Sequence, residues 1–220
     1  VAGAIQDYQR GIVLGQRTFG KGTVQSLESI SKGQIKITES KYYRIDGSST
    51  QNKGVLPDIE LLSTWDIETV GESSYPTALE WDTVRPYRHK KFDFDADKVF
   101  EIKNLYSQRL TTSPNLKYLG EVRDRYYLNK DKKLLSLNLE TRKSEKEARK
   151  DWLLQIENKR RKGLGLEIFS TYEDLDENNK KNENTNNDID FKRDYLLIES
   201  TNIINDYLNL DNKLLASKVG

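Results

Sequence analysis

Residues 18–25 read Thr-Phe-Gly-Lys-Gly-Thr-Val-Gln, and this stretch decides how the first part of the chain is built. Glycines flank Lys21 on both sides, which indicates a loop, and the residues from Thr23 onward predict the start of a strand. Because successive side chains of a strand point to opposite faces, we expect Lys21, Thr23 and Gln25 on the same side.

A lysine in such a loop has a chemical use. Burial disfavours the charged form of an amine, so a buried Lys21 can act as a neutral general base for a serine nucleophile. Gln25 is then suited to hold the amine by a hydrogen bond. Taken alone, however, a Gly-Lys-Gly loop is more often a solvated turn. A phosphate-binding loop is excluded, because Gly22 follows Lys21 where that motif has Ser or Thr.

The sequence around this loop predicts a unit that mixes helix and strand. Residues 1–9 are typical of the end of a helix, and the apolar run 11–15, bounded by glycines, is typical of a buried strand. Ile35 and Ile37 alternate with polar residues, as half-buried strands do. We therefore predict one α/β unit over residues 1–62.

The composition excludes several classes of function. The chain has 220 residues, of which 32% are charged, with a net charge of +1, which argues against a dedicated nucleic-acid binder. With no Cys and one His, disulfides, thiolate chemistry and His-rich metal sites are absent. Asp93, Asp95 and Asp97 alternate, but the glycine and glutamate of a calcium loop are missing. We expect neither a metal nor another cofactor.

The remainder of the chain is predicted to be mainly helical. Residues 63–94 lack clear periodicity and are interpreted as a connecting segment, whereas residues 95–220 show helical spacing of apolar residues. Ser113 and Pro114 are typical of the start of a helix, and Gly163 of the end of another.

Three shorter stretches of this half receive their own predictions. Leucines alternate over residues 134–139, which predicts a short strand. Residues 173–188 are almost wholly polar, which predicts a flexible linker. The basic run 159–162 fits either a patch for nucleic acid or lipid headgroups or a solvated helix face, and the nearby acidic residues favour the helix face.

The chain contains no Met and opens on residues typical of the middle of a helix. We therefore expect it to be a piece of a longer protein.

Four separate stretches, in this order and spacing, closely resemble the carboxyl-terminal processing or tail-specific proteases, peptidase family S41. They are Ala4–Tyr8, Gly15–Gln25, Lys41–Arg44 and Ser49–Ile59. Residues 76–220 resemble, more loosely, the C-terminal helical extension of the longer members. The resemblance implies an α+β chain in which part of an S41 protease core, a short helix end plus strands, precedes a mainly α-helical C-terminal domain.

The resemblance also implies roles for three residues. Lys21 is the general base of a Ser–Lys dyad, Gln25 orients the lysine, and Asp7 supports the structure of the site. The nucleophilic serine of the family lies a few residues before the position of Val1, and none of the serines that follow Lys21 fills its role. The chain by itself is therefore expected to be inactive.

The function implied is that of a serine endopeptidase that degrades or processes proteins recognised by a non-polar C-terminus. The implied partners are such substrates, the upstream protease core and PDZ module of the same polypeptide, and an adaptor protein. The implied location is the periplasm of a Gram-negative bacterium, with association with the inner membrane left open. Unpaired strand edges make self-association of the fragment a further expectation.

A non-enzymatic alternative concerns the second half of the chain. The helices over residues 95–220 are also suited to dock a substrate or an adaptor and to support the protease core, without chemistry of their own.

Overall fold

The computed structural model describes residues 1–64, 66–184 and 194–219. The chain is α+β and divides into two compact units. The first comprises Val1–Leu61 with Trp65–Glu101, and the second Leu62–Thr64 with Ile102–Gly220. Most of the segment 63–94, set apart above as a connection, thus contributes to the first unit.

The first unit contains short elements linked by long loops. They are helix α1 (Ala2–Asp7), strands β1 (Leu14–Gly15), β2 (Thr23–Ile30), β3 (Gly33–Lys41) and β4 (Ile59–Glu60), helix α2 (Ile67–Val70) and a 3-10 turn (Glu72–Ser74). Strands β1 and β4 pair in parallel, and β2 pairs with β3 in an antiparallel hairpin. The apolar centre of the unit includes Val55, Ile59 and Leu61, all buried.

The predicted strand over 11–15 is regular only at Leu14 and Gly15. Its partner β4 begins two residues after Pro57, and proline has no N–H to donate to a ladder. Asp58 compensates in part, because its carboxylate accepts a hydrogen bond from the Val13 amide at 2.7 Å.

The β2–β3 hairpin is a two-stranded sheet with both outer edges unpaired among the described residues. Its apolar side chains stay accessible, with Leu27 62% and Ile37 44% exposed. Two-stranded hairpins are only marginally stable by themselves, so this one depends on where its base is anchored.

The second unit is built of helices. They are α3 (Ala96–Thr112, whose first turns belong to the first unit), α4 (Pro114–Lys130), α5 (Leu139–Gly163), α6 (Tyr172–Asn184) and α7 (Tyr195–Val219). The predicted start at Ser113 is confirmed, because its side chain accepts from the Leu116 amide. Helix α5 does end at Gly163, but the left-handed glycine that follows it is Gly165, with a φ of +69°. Ile102, Ile156 and Ile203 are buried where the helices pack.

The predicted strand over 134–139 is wrong. Residues 132–138 have no regular structure, and Leu139 already belongs to α5. Asn138 caps that helix by accepting from the Thr141 amide at 3.0 Å, which turns the chain into a helix where a strand would continue.

The predicted linker over 173–188 is wrong for residues 173–184, which belong to α6, while 185–188 lie outside the described residues. Thr171 and Asp174 form a reciprocal cap, each side chain accepting from the other's amide. Buried Leu175 adds an apolar anchor, and Lys150 of α5 pairs with Glu173 at 3.2 Å. Capping and one anchor thus order a stretch whose composition alone predicts none.

The basic run 159–162 follows the predicted solvated face only in part. Lys159 and Lys162 are exposed, and Lys159 pairs with Glu121. Arg160, however, is buried, pairs with Glu157 at 2.6 Å and donates to Asn115 of α4 at 3.1 Å. The Glu157 hydrogen bond raises the pKa of Arg160 despite the opposing effect of burial. One of the four cations, Arg160, therefore serves the packing of the helices.

Within the described parts of the chain, no helix is long and apolar enough to cross a membrane.

Candidate active site

Lys21 lies half-buried in the loop that joins β1 to β2. Its amine donates to the carbonyl oxygen of Thr23 at 3.0 Å and to the Thr23 hydroxyl at 2.9 Å. Thr23 is itself buried at the first position of β2. The lysine side chain is therefore held at the surface of a cavity and does not extend into open solvent.

The loop that carries Lys21 rests on residues 49–55, which follow the hairpin. The Thr18 amide donates to the Val55 carbonyl at 3.0 Å, and the Val55 amide donates back to the Thr18 hydroxyl at 2.8 Å. The Asn52 amide donates to the Gly20 carbonyl at 2.8 Å. Polar groups of one segment thus fix the main chain of the other along its length.

Both glycines beside Lys21 are required by this close approach. Gly20 has a φ of +91°, a conformation that favours glycine, and a Cβ there would lie 3.0 Å from the Asn52 carbonyl oxygen. A Cβ at Gly22 would lie 2.6 Å from the Gln51 amide nitrogen. The Gly-Lys-Gly sequence therefore reflects tight contact with a neighbouring segment, which a solvated turn does not need.

Tyr42 holds the same loop from the strand side. Its hydroxyl donates to the Lys21 carbonyl, and its amide donates to the Gly22 carbonyl at 3.0 Å. The direction in which Lys21 leaves the backbone is thereby set by β3 and its continuation as well as by residues 49–55.

Gln25 lies on the same cavity as Lys21 and Thr23, as strand alternation predicts. Its amide nitrogen, however, donates to the Thr38 hydroxyl at 3.1 Å, while the lysine amine is held by Thr23. The β-bulge between Val24 and Gln25 brings Gln25 opposite Thr38 in the hairpin. In this structure Gln25 therefore lies beside the lysine without bonding to it.

Asp7 ends α1 and is buried against Arg44. Its carboxylate accepts from the Arg44 Nη2 at 2.6 Å and from the Nε at 3.1 Å. The Asp7 hydrogen bonds raise the pKa of Arg44 further above its ordinary value, although partial burial opposes this. A Cβ at Gly3 of α1 would lie 3.3 Å from the Arg44 Nε, so the arginine passes close to the helix, and the Asp7–Arg44 pair fixes α1 on the chain that follows the hairpin.

Two cavities meet at Lys21. One, of about 370 Å³, lies between the first turn of α1 and the lysine loop, and its lining includes Val1, Asp7, Lys21 and Arg44. The other, of about 380 Å³, lies on the hairpin side and is lined by Lys21 together with Thr23, Gln25, Lys36, Thr38, Gln51 and Glu72, among others. Among the described residues that line them, neither cavity has a serine.

Sequence reasoning assigned no supporting role to three residues: Thr23, which holds the lysine amine, Gln51, which holds the Gly22 amide, and Arg44, which holds Asp7. Arg44 and Gln51 stand in the stretches quoted for the family resemblance, but their partners lie 37 and 29 residues away. Only the joint occurrence of those stretches signals that they touch. The described residues also contain no cluster of acidic or His side chains able to hold a metal.

Two known protein families match the two parts of the chain. Residues 1–61 match peptidase family S41, and residues 65–209 match the C-terminal domain of tail specific protease. Since this second match covers more than half of the chain, the chain belongs to the tail-specific proteases of peptidase family S41.

Individual relatives carry the same names. The chain is similar to the tail-specific protease of Haemophilus influenzae, with 33% identity over 79% of this chain and 27% of that protein. It is also similar to the carboxy-terminal-processing protease of Bartonella bacilliformis, with 38% identity over 33% of this chain and 18% of that protein. The chain thus spans about a quarter of the length of the first relative.

Proposed function

We propose that this chain is the C-terminal part of a serine endopeptidase with a Ser–Lys dyad, in which Lys21 is the general base. Membership of peptidase family S41 supports a peptidase. The observation that carries the dyad is that the amine of Lys21 is held on a cavity which Val1 also lines. A serine a few residues before Val1 would be delivered to that cavity.

The proposed reaction divides the work between two parts of the polypeptide. The amine of Lys21 takes the proton of the serine hydroxyl as its oxygen attacks the scissile carbonyl, and the resulting ammonium returns a proton to the leaving amine. Water then hydrolyses the acyl-enzyme ester, with the same amine as base. Asp7 supports the site by fixing α1, and Gln25 orients the amine once the serine is in place.

The 220-residue chain by itself is proposed to be inactive, because a general base without its nucleophile cannot transfer an acyl group. The lack of a serine on either cavity, among the described residues, supports this. The proposed substrates are proteins with a non-polar C-terminus, and the proposed location is the periplasm of a Gram-negative bacterium. An adaptor and the upstream PDZ module are the proposed partners.

The test uses the intact polypeptide and two otherwise identical substrates, one with a non-polar and one with a charged C-terminus. We expect cleavage of the first alone, and its loss in Lys21→Ala. Lys36→Ala is the matched control, because Lys36 lines the same cavity from β3, and it should remain active. Cleavage by Lys21→Ala at the wild-type rate would refute the dyad.

A second candidate function concerns the helices of residues 95–220, which we propose as a module that docks substrate or adaptor and supports the core. That most of them form a compact unit favours it. Residues 95–220, expressed alone, should give a soluble helical product by circular dichroism. Aggregation would instead indicate helices that fold only against the protease core.

A further inference from the structure

Gln51 is a fully buried polar residue directly beneath the Lys21 loop, with 0% of its surface exposed. A buried amide is costly unless its carbonyl and amino groups both find partners. Its Oε1 accepts from the Gly22 amide at 2.8 Å, and its Nε2 donates to Glu72 Oε1 at 3.1 Å. The carboxylate of Glu72 can only accept hydrogen bonds. The amino group of Gln51 must therefore face Glu72, and its carbonyl oxygen must face Gly22.

Glu72 is hydrogen-bonded to the other end of the same loop. Its main-chain amide donates to the Phe19 carbonyl at 2.7 Å. The loop is therefore held at Phe19 by Glu72 and at Gly22 by Gln51, and the side chains of the two holders are bonded to each other. Lys21 lies between the two fixed points.

We propose that Gln51, oriented by Glu72, is a positioning residue for Lys21. It fixes the Gly22 amide, and with it the direction from which the lysine amine approaches the serine. This inference rests on the proposed dyad, because positioning matters only if Lys21 is the base. It adds the prediction that the rate of cleavage depends on Gln51, on Glu72 and on the hydrogen bond between them.

The bond between Gln51 and Glu72 has a direction, which allows a sharp test in the intact polypeptide. Gln51→Glu keeps an acceptor for the Gly22 amide but places two carboxylates against each other. Gln51→Glu combined with Glu72→Gln restores the bond with donor and acceptor exchanged. Gln34→Glu, on the exposed far end of the hairpin, makes the same chemical change as a control.

We expect Gln51→Glu to lower kcat by about 100-fold at pH 8 with little change in KM, since a small misplacement of a catalytic group costs this much. The double variant should recover to within about threefold of wild type, because it restores the pairing that the single change removes. The ratio of Gln51→Glu to wild-type kcat should rise as the pH is lowered, because two adjacent carboxyls share a proton. The other charged groups on this cavity are Lys21 and Lys36.

Amide hydrogen exchange of the peptide that contains Gly22, measured on the same proteins, gives a readout independent of cleavage. It should be faster in Gln51→Glu and slow again in the double variant. A Gln51→Glu enzyme with wild-type kcat and exchange, or a folded double variant that recovers neither, would overturn the inference. An inactive wild type with the expected exchange pattern would instead refute the dyad, and the support of the loop by Gln51 and Glu72 would stand.

Discussion

The two units of this chain use polar side chains in different ways. Around Lys21, side chains mostly bond to main-chain groups, as Gln51 does with the Gly22 amide and Thr18 with the Val55 amide. Among the helices of the second unit, side chains of different helices bond to each other, as Arg109 of α3 does with Glu199 of α7 and Lys159 of α5 with Glu121 of α4. Side chain to main chain bonds fix the path of a loop, whereas ion pairs hold together helices whose backbones are already satisfied.

This difference teaches where precision is needed. A helix tolerates a lost ion pair because its own backbone hydrogen bonds preserve its shape. An irregular loop has no regular backbone hydrogen bonds of its own and depends on its neighbours. We therefore expect changes around the Lys21 loop to affect catalysis, and changes to the helical ion pairs to affect stability alone.

The largest effect is expected for Asp7→Ala. This change should affect both stability and catalysis, because Asp7 is a buried ion-pair partner within the site. Removing it leaves Arg44 mostly buried without its anion, at a cost of about 3 kcal/mol. Urea unfolding should show this loss, and the intact enzyme should lose cleavage. Asp93→Ala removes an exposed carboxylate and is the control. Equal stability of the two variants would contradict the assigned role of Asp7.

Glu199→Gln should separate stability from catalysis. Glu199 is 3% exposed and accepts from Arg109 at 2.7 Å, so a neutral side chain there should cost about 1.5–3 kcal/mol in urea unfolding. Because the pair lies in the helical unit, kcat of the intact enzyme should stay at the wild-type value below the unfolding transition. A drop in kcat as large as that of Asp7→Ala would end the distinction drawn between the units.

Gly22→Ala should reveal how little space the loop has. The new Cβ meets the Gln51 amide nitrogen at 2.6 Å, so main chain must shift, at a cost of about 1–3 kcal/mol. The matched change Gly11→Ala meets only a side-chain methyl of Ile5, at 3.7 Å, and should be nearly neutral. Thermal melts of the two variants make the comparison, and similar melting temperatures would argue against tight packing beneath Lys21.

The smallest effect is expected at the start of α6. The Glu173 backbone amide and then Lys150 lower the pKa of the Glu173 carboxyl below its ordinary value of 4.5. A lowered folded pKa contributes stability that is present above the ordinary value and is lost as the pH falls through the folded one. Melting temperature should therefore fall slightly more steeply with acid in wild type than in Glu173→Gln. Glu101→Gln, at an exposed site of α3, should retain the wild-type slope.

The sequence predicted the local features of this fold and few of its long-range ones. The glycine loop, the two strands of the hairpin and the start of α4 depend on neighbours within a few residues, and each was predicted. The residues that support the site were not, because Gln51 acts on Gly22, 29 residues away, and Arg44 on Asp7, 37 residues away. Periodicity within a segment carries no information on such contacts.

The two wrong predictions of secondary structure have a common origin. The leucines of 134–139 alternate as in a strand, but a strand needs a partner, and Asn138 caps a helix there instead. Residues 173–184 are polar, but the Thr171–Asp174 cap and buried Leu175 make them a helix. In both cases capping side chains outweighed the pattern of the whole stretch.

The most direct test of the proposed dyad is the distance between the Lys21 Nζ and the nearest serine Oγ in a crystal structure of the intact polypeptide. The account predicts about 3 Å, within hydrogen-bond reach, for a serine a few residues before Val1. A lysine amine surrounded by solvent, with every serine oxygen beyond roughly 6 Å, would contradict it.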